Sequence, residues 1–134
     1  MSFNNLGLSP ELKQAIESKG YSDPSEIQQQ AIPSILQGND IMAGAKTGTG
    51  KTAAFALPIL QRLQNDESKR RRVRTLVLVP TRELASQVGD SFRKYGKNLR
   101  FRTSTLYGGV SIKTQIDKLK KGVDIVVATP GRLL

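Results

Sequence analysis

The chain has 134 residues, 37% of them hydrophobic, with no cysteine and no histidine. That length and composition fit one ordinary folded domain and exclude disulfides, thiolate or imidazole metal sites and a Ser-His nucleophile. Lys and Arg number 21 against 11 Asp and Glu, and the net charge of +10 favours a polyanionic partner. The longest apolar runs, such as Ala53 to Leu60, fall far short of a membrane span. The opening MSFNNLGLS has neither a basic start nor an apolar leader core, which points to the cytoplasm.

Ser9, Pro10 and Glu11 form a helix start, with Leu12, Ala15 and Ile16 on one stripe and Lys19-Gly20 as the stop, so a helix is predicted over 9–19. In DPSEIQQQAIPSILQGND, Ser25 and Gln28 have capping-box spacing, Ile27, Ala31 and Ile35 share a face, and Gly38 closes the helix. Pro33 should bend or loosen it. DIMAG follows as a short buried strand, then a Gly-Thr loop and a helix from Gly50 to about Leu63 with Pro58 inside. VRTLVLV, 73–79, is β-branched and nearly all apolar, as suits a strand covered on both faces. Thr81 caps a helix with Leu84, Val88 and Phe92 inward. TSTLY is the third strand and ends at Gly108-Gly109. Ser111 starts a helix with Ile112, Ile116 and Leu119 inward, stopped by Gly122; VDIVVA, 123–128, is the fourth strand. Strands alternating with helices imply an α/β fold with a mainly parallel sheet and helices on both faces.

In such sheets ligands collect at the carboxyl ends of the strands. The four loops there read AGAKTGTGKT, VPTREL, YGGVS and ATPGR. The first holds a phosphate-loop pattern, Ala45-Lys46-Thr47-Gly48-Thr49-Gly50-Lys51-Thr52, with Ala in place of the usual first Gly. Gly48 and Gly50 let backbone N–H groups turn toward phosphate oxygens, Lys51 supplies charge to the outer phosphates, and Thr52 offers a hydroxyl to Mg²⁺. The other loops each supply a helix start or glycine turn: Thr81 before Arg82, Gly108-Gly109 before Ser111, and Thr129 before Pro130, Gly131 and Arg132. One such loop is an ordinary cap; three on one edge make a groove that tracks a sugar-phosphate backbone. KRRRVR, 69–74, precedes its strand and therefore belongs at the opposite edge, as a solvated loop or an auxiliary nonspecific contact. Lys113, Lys118, Lys120 and Lys121 read as the wet face of a helix. Gln28 has two readings: as a cap it reaches back to the Ser25 N–H, and as a carboxamide it matches the N6 and N7 edge of adenine; spacing alone favours the cap.

Together these motifs resemble the DEAD-box ATP-dependent RNA helicases, from Ser2 to Leu134. Phe3, Gly20-Tyr21 and PSEIQQQAIP, within about 1–33, resemble the adenine-sensing Q motif. AKTGTGKT at 45–52 resembles motif I, and PTRELASQ (80–85 at its core), GG (108–109) and TPGR (129–132) resemble the RNA-contacting motifs. MSFNNLGLSPELKQAI, YGGVSI and VATPGRLL look closest to the bacterial RhlE-like subgroup. The resemblance implies a RecA-like P-loop NTPase domain, of which 1–134 is the N-terminal portion, truncated at its C-terminus. It further implies that Gln28 reads adenine, that Phe3 or Tyr21 packs near the base, and that Lys51 and Thr52 hold the phosphates and Mg²⁺. Thr81, Arg82, Gly109, Thr129, Gly131 and Arg132 would grip single-stranded RNA. Two residues depart from the family pattern: Ser25 stands where Thr is usual and keeps the hydroxyl, and Lys46 stands where Gln is common and adds charge beside the phosphate loop.

Phosphoryl transfer to water also needs a metal-holding carboxylate and a group that orients the water. None of the 11 acids ends an apolar strand: Asp66-Glu67 precedes the basic run and Asp124 begins its strand. The Asp-Glu-Ala-Asp motif is absent from this sequence, and the resemblance puts it, a second RecA-like domain and strands flanking the phosphate-loop strand beyond Leu134. The parent protein is thus expected to unwind RNA at the expense of ATP, whereas 1–134 alone should not hydrolyse it. Two alternatives stand beside this: another P-loop NTPase such as a DNA-directed helicase, and a stand-alone nucleotide- or RNA-binding module.

Overall fold

The computed structural model describes residues 3–21, 23–44, 50–66, 73–107, 115–116, 119 and 122–133. These fall into two compact units, Met1–Asp66 with Lys94–Leu99 and Glu67–Arg93 with Arg100–Leu134.

The first unit is helical. A 3₁₀ turn, Phe3–Asn5, leads to α1 (Pro10–Ser18), α2 (Glu26–Leu36) and α3 (Lys51–Asn65). The Ser9 hydroxyl accepts the Leu12 N–H, and the Ser9 N–H donates to Gln61 Oε1 of α3 at 2.7 Å, so the start of α1 is tied to its neighbour. Leu12, Ala15 and Ile16 are buried as their spacing predicts. Removing each Leu or Ile side chain of this kind from water is worth about 1.5–3 kcal/mol. Gly20 ends the helix at φ 83°, in the left-handed region where only glycine is unstrained. α2 packs against α3. Pro33 lies within α2 without ending it, and α3 runs past Pro58 to Asn65, two residues beyond the predicted stop. Ala53, Ala54 and Ala56 put little bulk on the first turns of α3, and Leu57 and Leu60 continue its buried face.

DIMAG is not a strand. Ile41–Gly44 makes no ladder among the described residues, Ile41 is exposed and Met42 is fully so. A short apolar run becomes a strand only where a neighbour satisfies its backbone, and sequence alone does not supply the neighbour.

The second unit holds β1 (Thr75–Leu78), the body of α4 (Arg82–Tyr95), β2 (Thr103–Leu106), β3 (Ile125–Ala128) and a short α5 (Pro130–Leu133). The strands form one parallel sheet, order β1-β3-β2, with Leu76, Val126 and Ser104 in register. Each strand is shorter than predicted. β3 is buried at all four positions and forms the middle of the sheet. β1 does not meet the expectation of cover on both faces: Leu76 is 50% and Leu78 54% exposed. An edge position leaves one side of β1 without the cover that β3 has. On the face that holds Thr105, Gly89 of α4 approaches so closely that a Cβ there would collide with the Thr105 methyl. On the other face Leu119, in a helical stretch, packs on Leu106, Val123, Val126 and Ala128.

Two predicted helix faces are rotated. In α4, Val88 and Phe92 are buried, but Leu84 is exposed and Ala85 takes its place. In the helix before Gly122, Ile116 is 42% exposed and Gln115 is buried, because the Gln115 amide donates to the Tyr107 carbonyl at 3.0 Å. Ile112, Lys113, Lys118, Lys120 and Lys121 lie outside the described residues.

Candidate nucleotide and nucleic-acid sites

The start of α3 is joined to the start of α2 by one side chain. Gln28 is 4% exposed. Its Oε1 accepts the Ser25 N–H at 2.9 Å, the Gln28 N–H donates to Ser25 Oγ at 3.5 Å, and its Nε2 donates to the Gly50 carbonyl at 3.2 Å. The capping reading of the spacing is therefore realised, with Ser25 supplying the hydroxyl. The second contact, to Gly50, is one that sequence spacing did not reveal. Each end of a carboxamide has capacity for a second hydrogen bond, so capping leaves one donor and one acceptor of Gln28 for a further ligand.

Gly50 caps α3 at φ 81° and provides no side-chain acceptor for its first N–H groups. A helix start of this kind carries a partial positive charge and unpaired donors, the arrangement that binds phosphate. Lys51 is exposed on its first turn and Thr52 is half-buried beside it. Ala45, Lys46, Thr47, Gly48 and Thr49 lie outside the described residues.

Phe3 and Tyr21 line one pocket of about 370 Å³ together with Lys13, Ile16 and Gly20. Gln28 does not line it. The two aromatics differ: Phe3 is buried at 6% and Tyr21 is 44% exposed, so only Tyr21 offers much ring surface. Lys19 Nζ sits 5.9 Å from the Tyr21 ring centroid and 4.5 Å from that of Tyr95. Burial, and then the neighbouring Tyr21, push the Tyr95 phenol well above its ordinary range. Tyr95 carried no signal in the sequence beyond its place at the end of a predicted helix.

In the second unit the described members of the predicted RNA set lie at one end of the sheet. Thr81 follows β1 and caps α4, its Oγ1 accepting the Leu84 N–H at 3.2 Å. Thr129 follows β3, its N–H held by the Leu106 carbonyl at 2.9 Å, and α5 starts at Pro130. Gly131 is exposed, and a Cβ there would meet nothing within 4 Å. The Arg82 guanidinium stands 5.6 Å from the Tyr107 ring centroid, which links the loops after the two outer strands. Tyr107 is an addition that an aromatic directly after a strand could have signalled. Gly109 lies outside the described residues, as does the side chain of Arg132.

Asp124, the buried acid at the amino end of β3, has a structural task. It pairs with Arg74 at 3.2 Å and accepts the Arg102 N–H at 2.9 Å. Among the described residues no cluster of three or more Asp or Glu could cage a metal, and no helix is long and apolar enough to cross a membrane.

Comparison with known proteins bears on the family and the fold. The DEAD/DEAH box helicase family model matches residues 25–134. The chain is 49% identical over 133 residues to the DEAD-box ATP-dependent RNA helicase RhpA of Helicobacter pylori, covering 99% of this chain and 26% of that protein. It is 48% identical to the DEAD-box ATP-dependent RNA helicase CshA of Bacillus cereus, covering 99% and 25%. The chain thus spans about a quarter of the length of these curated relatives. Among solved structures, the RNA helicase Prp28 of Chaetomium thermophilum bound to ADP superposes with a TM-score of 0.89 at 40% identity, covering 98% of this chain and 33% of that one. A hypothetical ATP-dependent RNA helicase from Sulfolobus tokodaii gives 0.83 at 41% identity, covering 94% and 35%. The fold is accordingly that of RNA helicase RecA-like domains, and the chain belongs to the DEAD/DEAH box helicase family.

Proposed function

We propose that the protein carrying this chain is a cytoplasmic ATP-dependent RNA helicase, and that residues 1–134 form the N-terminal portion of its first RecA-like domain. The observation that carries the proposal is the Gln28 bridge, which fixes a carboxamide against the start of the helix that bears Lys51 and Thr52. Gln28 presents its remaining donor and acceptor to the adenine edge, and Tyr21 packs near the base. Phe3 supports it from the core. Backbone N–H groups of the phosphate loop, Ala45 to Thr52, receive the phosphates, and Lys51 neutralises their outer charge. The donor set fits magnesium held chiefly by nucleotide oxygens: Thr52 supplies one hydroxyl, and Mg²⁺ keeps few protein ligands in such sites. When bound, the ion neutralises charge on the transferred phosphoryl group. Thr81, Arg82, Gly109, Thr129, Gly131 and Arg132 contact the RNA backbone, which positions the strand without reading its sequence.

Binding of a fluorescent ATP analogue, with GTP as competitor, tests this reading. Lys51→Ala should weaken binding about tenfold or more. Gln28→Glu keeps the cap acceptor but loses the donor, and should erase the preference for ATP over GTP. An unchanged preference returns Gln28 to capping alone. Among the described residues the buried acid, Asp124, is committed to Arg74 and the Arg102 N–H, and hydrolysis by 1–134 is not expected. Phosphate release by 1–134 above a Lys51→Ala control would refute that assignment.

A further inference from the structure

The net charge of +10 is unevenly placed. Glu67–Arg93 with Arg100–Leu134 contains fourteen Lys and Arg against five Asp and Glu, whereas the other unit contains seven against six. The loops proposed above to grip RNA hold only Arg82 and Arg132 of those fourteen cations. Several of the rest gather at the opposite end of the sheet. Arg74 precedes β1, Arg93 lies near the end of α4, and Arg100 and Arg102 precede β2.

At this amino end a pocket of about 340 Å³ is lined by Arg93, Phe101, Arg102, Ser104 and Val123 among others. Its volume falls within the range of small-ligand sites, about 300–1,000 Å³. Ser104 is 3% exposed, and its hydroxyl oxygen has no hydrogen-bond partner. That oxygen is shut off from solvent on the strand face that Ser104 shares with Leu106, so Ser104 lines the pocket without presenting its hydroxyl to it. Arg93 pairs with Asp90 at 3.1 Å, but both side chains are about half exposed, so water screens the pair and leaves the guanidinium open to exchange. Its Nη2 also donates to the Thr103 carbonyl at 3.4 Å. Asp124 is engaged by Arg74 and by the Arg102 N–H, so its charge is already met. Arg74 stands 5.6 Å from the Phe101 ring centroid, placing positive charge beside the aromatic.

We propose that this pocket is a second contact for single-stranded RNA, in which one base packs on Phe101 while its phosphate meets Arg93 and Arg102. An aromatic platform flanked by cations is the chemistry that holds single strands without a base code. The site shares its ligand class with the proposed function but none of its residues, and it lies at the other end of the strands.

The test is anisotropy of fluorescein-labelled decauridylate with the intact protein across a salt series, together with 4-thiouridine crosslinking and peptide mapping. An Arg93→Glu, Arg102→Glu double variant should lose about tenfold in affinity, and its salt slope should fall by about two. Phe101→Leu should cost about fivefold with the slope unchanged. Crosslinks should map to the segment 101–104 and persist in Arg82→Ala. Unchanged affinity in the double variant overturns the proposal. So does inorganic polyphosphate competing equally well while Phe101→Leu is silent, because that describes an anion patch with no place for a base. Crosslinks confined to the loops at Thr81 and Thr129 overturn this site and leave the first RNA face standing; no crosslinks anywhere would overturn both.

Discussion

Gly50→Ala should damage the protein far more than one added methyl implies. The residue sits at φ 81°, where an L side chain costs about 1–2 kcal/mol. The new Cβ would also collide with the Gln28 amide nitrogen, with Gln28 Cδ 3.2 Å and Ser25 Oγ 3.4 Å away. Gln28 must then leave, and the bonds from the Ser25 N–H and to the Gly50 carbonyl are lost, at about 1 kcal/mol each. The sum is about 3–4 kcal/mol. Gln28→Ala alone loses the same two bonds, about 2 kcal/mol, and it also removes the obstacle. In that background Gly50→Ala should cost only its backbone strain, so the double variant falls short of the sum of the singles by about 2 kcal/mol. Urea unfolding followed by circular dichroism measures all four corners of the cycle. Additivity within about 0.5 kcal/mol would refute the idea that the two residues meet.

Asp124→Ala should destabilise by about 3 kcal/mol, since it removes the carboxylate that the buried Arg74 guanidinium pairs with and that accepts the Arg102 N–H, and thermal or urea unfolding reads this directly. Tyr95 should stay protonated in alkali that ionises exposed tyrosines. Because its folded pKa is raised, the linked stability is whole below pH about 10 and is lost as the pH rises further. An absorbance titration should show one tyrosine ionising late, and Tyr95→Phe should abolish that phase. Tyr107→Ala removes the surface on which Arg82 rests and should weaken single-stranded RNA binding about threefold without changing the melting midpoint. An unaltered affinity would make that contact incidental.

What the sequence showed was mostly what local chemistry decides. The caps at Ser9, Ser25 and Thr81 and the glycine stop at Gly20 stand where spacing puts them, because each is settled within four or five residues. The failures are tertiary. Ile41 and Met42 read as strand residues but gain no partner backbone, and Leu76 and Leu78 read as buried but occupy an edge. Leu84 and Ile116 turn outward because neighbours one position away, Ala85 and Gln115, take the buried places. At the site, Gln28 was legible as a cap from three-residue spacing, but its bond to Gly50 spans 22 residues, and no local pattern encodes that. Tyr107 and Tyr95 likewise matter through partners far away in sequence.

The half-exposed β1 also has a consequence for solubility. TLVL is a short, uncharged, strongly β-prone segment at the rim of a parallel sheet, with Leu76 and Leu78 facing outward. Such a rim recruits strands from other molecules unless the flanks oppose stacking. Lys69, Arg70, Arg71, Arg72 and Arg74 on one side and Pro80 on the other are gatekeepers of the kind that frame unavoidable hydrophobic strands. Replacing that basic run with neutral residues would therefore be felt first as precipitation.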